Sequence, residues 1–239
     1  MRRLTISFAI AAFALFSLSA QDLDKILNDF YKASAQEKLA KITSITITGK
    51  NTLAAMGMET GFTLYQARPN KIRVEANFAG QKVIQTYNGK TGWMYAPAMG
   101  ITQPQQLGAN ELKSILNQAE IESPLWNYKA KGKSVELVGD SEDGSAYVVK
   151  VTSANGDEVK IYIDKKSSLI SRISNAQMAN GAETTIDSEM KDYKVVKGIP
   201  TAHYMAIKIG GQTASTLTFE SVEYDKSLDA SLFEKPVVE

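Results

Sequence analysis

Gly89-Lys90-Thr91 is the first candidate for chemistry in this 239-residue chain. The triplet ends the loops whose backbone amides and lysine grip a phosphate. Such a loop needs a further glycine five positions upstream of its second one, and Ile84 stands there. It also opens a helix, whereas "GWMYAP" after the triplet reads as a strand. Asn88-Gly89 is the residue pair of a tight hairpin turn, and that reading replaces the phosphate loop. His203 is the sole histidine, and Cys is absent. A zinc site or a Cys nucleophile therefore lacks its residue types, and no G-x-S-x-G elbow accompanies His203. Asp140-Ser141-Glu142-Asp143-Gly144 lacks the ligand spacing of a calcium loop and reads as a turn between strands. Nothing points to paired carboxylates for glycoside hydrolysis. The sequence thus predicts no enzyme, no metal and no cofactor. Trp93, Tyr95 and Trp126 are each compatible with a ligand site or with plain core packing. Arg68, before Pro69, taken by residue type is a solvated arginine at a strand end.

Composition narrows the partners. Lys and Arg number 27 against 26 Asp and Glu, which gives no electrostatic footprint for nucleic acid. Hydrophobic residues form 44 % of the chain, enough for a sizeable core. Residues 1–20 read as a secretory signal peptide: Arg2 and Arg3, an uncharged apolar run from Leu4 to Leu18, then small residues up to a cleavage site near Ala20. Its removal takes two arginines and no acid, so neutrality persists. With no cysteine to carry a lipid, the expected product is a monomeric periplasmic domain over 21–239.

Two helices open that domain. Leu23, Ile26, Leu27, Phe30 and Tyr31 recur at the spacing of one helical stripe. Ser34 and Glu37 have capping-box spacing for a second, short helix. The period then changes to two. "SITITGK", "GFTLYQA", "KIRVEANF" and "QKVIQTY" alternate, and Ile72 and Val74 share one face. "NELKSILNQAEI" interrupts with a helical pattern, with Asn110 as its possible N-cap. Strands resume from "KSVELVG" to "STLTFESVEY", with turns at Asn155-Gly156 and Gly210-Gly211. Consecutive hairpins with one helical insertion predict a large curved antiparallel sheet, open or partly closed, covered by helices on one face.

The order of these motifs resembles the LolA/LolB-like family of outer-membrane lipoprotein-sorting proteins. "LYQARPNKIRVE" looks like that family's strand–Arg-Pro–strand segment, and "YNGKTGWMYAP" like its next hairpin. "IYIDKKSSLISRIS" resembles a later strand–turn–strand, and "LDASLFEKP" the closing segment. The resemblance implies an α+β fold, mostly antiparallel β: a strongly curved open half-barrel whose helices cover a hydrophobic concave face. It implies a soluble periplasmic carrier for acyl chains of lipid-modified proteins, loaded and emptied by membrane proteins. Arg68 would hold the lid closed, and Ile72 and Val74 would line the cavity. Trp93 and Tyr95, one face of the next strand, are expected to point into the same cavity. The same fold also serves envelope sensors and glycolipid-binding proteins.

Overall fold

The alternating segments become one continuous antiparallel sheet. The computed structural model describes residues 22–179 and 182–237, so the expected signal peptide lies outside the described residues. The strands are β1 (Ser44–Leu53), β2 (Met58–Ala67), β3 (Lys71–Phe78), β4 (Gln81–Tyr87), β5 (Gly92–Ala96), β6 (Ile101–Gln106) and β7 (Ser134–Asp140). After them come β8 (Ala146–Thr152), β9 (Glu158–Asp164), β10 (Ile170–Ala179), β11 (Ala182–Val196), β12 (Ile199–Ile209) and β13 (Gln212–Tyr224). Across the sheet they run β6-β5-β4-β3-β2-β1-β13-β12-β11-β10-β9-β8-β7. Chain order breaks only where β1 pairs with β13, which seals the first half of the sheet to the second. β6 and β7 remain edges, so the curved sheet is an open half-barrel rather than a closed one.

Among the described residues the three α-helices lie on one face, and the strand register shows it, because paired residues share a face. Helix α1 (22–33) buries Ile26, Leu27 and Phe30 against Val149, Val151 and Ile161. The short α2 (Gln36–Leu39) and the link after it set Leu39 and Ile42 beside Ile45, Ile199 and Val222. Helix α3 (Ala109–Ala119) packs Ile115 and Ala119 on Ile72 and Tyr87. Pairing carries the face from Ile72 to Gln66, Ile45 and Tyr224. From the far half it runs Ile161, Ile173, Ser188, Ile207, Ser215 and Leu53. The expected fold class is therefore the observed one.

Two helix starts differ from the sequence reading. Ser34 does not cap α2; its Oγ donates back to the Phe30 carbonyl at 2.6 Å, closing α1, and the left-handed Ala35 (φ 51°) begins α2. A serine one turn after a carbonyl has that local bond available, and here it wins over the cap. Helix α3 takes Gly108, not Asn110, as N-cap.

The central seam needs a glycine. The β1–β13 register shifts between Thr48 and Gly49, and a Cβ at Gly49 would run into the Thr218 carbonyl oxygen. It would also press on the Phe62 ring at 3.1 Å. The bare backbone lets Phe62 and Phe219 close edge-on above it, with centroids 6.0 Å apart. Gly49→Ala is expected to lower stability by about 1–3 kcal/mol, the usual range for overpacking. A urea midpoint equal to the parent's would show that the seam relaxes freely.

Candidate functional site

Arg68 is the joint between the sheet and the helices over it. It sits just past β2, where its backbone N–H donates to the Thr43 carbonyl at 3.0 Å. Its Nε donates to the Ile42 carbonyl at 2.6 Å, in the link after α2, and its Nη2 to the carbonyl of Leu39, the last residue of α2, at 3.1 Å. Its Nη1 meets Glu122 Oε1 at 3.0 Å, in the segment just after α3. One side chain therefore ties the second helix to the third. Gln66, on the neighbouring strand face, adds a bond from Nε2 to the Gln118 carbonyl at 2.6 Å. Arg68 is thus not the solvated strand-end residue that its type alone suggests. Glu122 and Gln66 carry no motif, and nothing in the sequence singled them out.

Ile72 and Val74 do share the helix-covered face. Ile72 is fully buried under α3, while Val74 borders the same cluster and stays half-buried. Trp93 and Tyr95 are a correction. Thr86 pairs with Trp93 and with Arg73, and Ile84 pairs with Tyr95 and with Glu75, so both aromatics lie on the opposite, outer face. There the C-terminal segment straps the sheet. Arg73 donates to the Leu232 carbonyl at 2.9 Å, Thr86 to the Glu234 carbonyl at 3.3 Å, and Lys235 stands over the Trp93 ring. The physical reason is the turn. Tyr87 pairs with Gly92 across the Asn88–Thr91 loop, which puts even-numbered β5 residues on the face of odd-numbered β4 residues. Gly92 faces the helices, and the Leu107 side chain occupies the space a Cβ would need, at 2.6 Å.

Beyond the helices the covered face continues as apolar surface. Leu217 pairs with Met205, Met205 with Met190, and Ile207 lies two residues on. All are half-buried, and Leu217, Met205 and Ile207 belong to none of the helix-capped clusters among the described residues. With Phe62 and Phe219 they form a lane between the helices and the hairpin turns at the other end of the strands. Its large side chains are hydrocarbon and thioether, with the small uncharged groups of Asn51, Ser188 and Ser215 beside them on the same face, a surface suited to apolar chains and not to acid–base work.

The polar candidates stay apart. His203 is buried on a strand, and its ring donates from Nδ1 to the Thr201 carbonyl at 3.0 Å. Asp143 serves its own turn, where bonds from Ser141 and Ser145 hold its carboxyl down at about 2. The Tyr31 hydroxyl is pushed up to about 12, chiefly by burial, and donates to the Leu125 carbonyl at 2.6 Å. Among the described residues, no three His, Cys, Asp or Glu side chains converge as metal ligands.

No protein-family model and no curated protein matches the sequence. Solved structures match along most of the chain. A LolA superfamily protein from Nitrosomonas europaea superimposes with a TM-score of 0.59 at 13 % identity, over 89 % of this chain and 97 % of that one. The chain has a LolA-type fold. An outer membrane lipoprotein-sorting protein domain from Vibrio parahaemolyticus gives a TM-score of 0.55 at 13 % identity, covering 83 % and 94 % of the two chains. A DUF1329 family protein from Desulfovibrio piger gives 0.59 at 14 % identity, covering 87 % and 96 %. At such identities the LolA-type likeness is one of fold.

Proposed function

We propose that this chain is a periplasmic carrier. It takes the acyl chains of lipid-modified proteins onto the helix-covered face of its half-barrel and shuttles them towards the outer membrane. The observation that carries the reading is the lane through Leu217, Met205 and Ile207: apolar, half-buried, and outside the packed clusters. Burying an acyl chain is worth about 0.8 kcal/mol per CH₂, so a carrier needs such a surface, and it needs no reactive group. Val74 edges the lane, and Ile72 anchors α3 as the floor of its lid. Arg68 is the latch, because its bonds reach both α2 and the segment after α3. The lipoprotein-sorting and LolA names of two similarly folded proteins support the same direction. Membrane proteins that load and receive the cargo are the corresponding partners.

Leu217→Glu tests this without touching a packed cluster. A carboxylate in the lane must stay hydrated or meet the acyl chain, and either disfavours binding. Affinity for a fluorescent fatty acid, added as monomer, is expected to fall by about tenfold or more, with the unfolding midpoint held near the parent's. A folded Leu217→Glu protein that binds the probe as tightly as the parent removes the lane from the mechanism. Mass spectrometry of lipids and lipoproteins that co-purify from the periplasm would identify the cargo.

A further inference from the structure

The lane opens at a rim whose turns carry no charged side chain. Antiparallel connections alternate ends, so the turns β1–β2, β3–β4, β5–β6 and β12–β13 all project from the same end of eight neighbouring strands. The stretches Asn51–Met58, Ala76–Gln81, Thr91–Asn110 and Ile209–Ser215 contain no Asp, Glu, Lys or Arg, with Glu59, Glu75, Lys82 and Lys208 flanking them in the strands. Three of their exposed side chains are large and apolar, Met56 at 65 % accessible, Met99 at 55 % and Ile209 at 46 %, beside uncharged polar ones such as Asn77, Gln103, Gln105 and Gln212. The other end of these strands differs, with Arg68, Lys71, Lys90, Lys197 and Asp225 in or beside its turns. The helices pack near that charged end, on Ile45, Ile72, Tyr87 and Ile199. They leave the lane to run out to the apolar turns.

We infer that this rim is a membrane-docking edge that rests on an electrically neutral phospholipid surface. Separate turns spread over about 30 Å, three of them offering one large apolar side chain each, make poor sockets for a folded partner. A bilayer demands no shape match, only apolar groups at the right height. The turns hold no basic residue, and the flanking Lys82 and Lys208 are paired with Glu75 and Glu189, which fits zwitterionic rather than anionic headgroups. Continuity with the lane gives the contact a purpose: an acyl chain can pass from bilayer to lane along hydrocarbon. That purpose rests on the carrier reading; the docking does not.

Co-sedimentation of the mature chain with phosphatidylcholine vesicles tests it. The parent is expected to pellet with vesicles, and Met56→Glu/Met99→Glu to lose about tenfold or more of its partitioning. Both sites are exposed, so the thermal midpoint should not move. A parent that stays in the supernatant, or a double variant that pellets equally well, overturns the inference. Leu217→Glu should pellet like the parent. If the parent pellets, the rim variant does not, and neither binds the fatty-acid probe, docking stands and the carrier reading fails.

Discussion

Ile72→Glu is expected to destabilise the chain by about 4 kcal/mol or more, not simply to block a ligand. Ile72 has no accessible surface and is held between Tyr87 of the next strand and Ile115 and Ala119 of α3. Leu64, Val74, Leu107 and Leu112 complete a mostly apolar shell, and the paired Gln66 already gives its amide N–H to the Gln118 carbonyl, so the new carboxyl would find no free donor in the cluster. It must either take up a proton or push α3 off the sheet. Both outcomes should show in a urea titration as a lower midpoint, and the second also as a lower slope. The slope change is the informative part, since it would mean that α3 separates from the sheet before the strands do. Ile72→Val provides the scale: one methylene lost from the same site should shift stability by only about 0.5–1.5 kcal/mol. A Glu variant as stable as the Val variant would mean that α3 does not bear on Ile72 in solution.

The strands were legible because each has one wet face and one covered face, which period-two alternation records. Ile72 and Val74 illustrate this, and so does "EVKIYID", whose Val159, Ile161 and Ile163 all pack in the cluster under α1. Alternation groups residues within a strand but does not say which way the group points. Trp93 and Tyr95 therefore share a face, as their alternation says, but it is the outer one. The deciding fact is the pairing of Tyr87 with Gly92, which fixes parity between β4 and β5. A hydrophobicity pattern cannot supply it when both faces are partly covered, and the C-terminal strap covers the outer one. The capping-box expectation failed for a related reason: Ser34 has two local acceptor and donor options, and spacing alone does not rank them. Arg68 could be located but not explained from residue type. Its partners Leu39, Ile42 and Glu122 present two backbone carbonyls and one acid from an irregular segment, and backbone carbonyls leave no mark in a sequence.

Those partners make Arg68→Leu the sharpest test of the proposed latch. The change strands Glu122, which is only 14 % accessible, and removes one donor each from the Ile42 and Leu39 carbonyls. Removing one member of a largely buried pair is expected to lower stability by about 2–4 kcal/mol, somewhat less than for a fully enclosed pair because Arg68 is 31 % accessible. If the loss were only structural, ligand association and release would be affected alike. A latch predicts asymmetry: the helices separate more readily, so the bound fatty-acid probe should leave about tenfold faster or more, while its association rate changes little. Arg68→Lys keeps the charge but not the fork. It can meet Glu122 or the carbonyls, not both, and should fall between parent and Leu variant in release rate. Adding Glu122→Gln to Arg68→Leu removes the stranded charge and should recover part of the stability without slowing release. Stopped-flow release measured on these variants separates the two accounts. Release as slow in Arg68→Leu as in the parent would leave Arg68 a structural tie and return the control of the lid to the α3 contacts around Ile72.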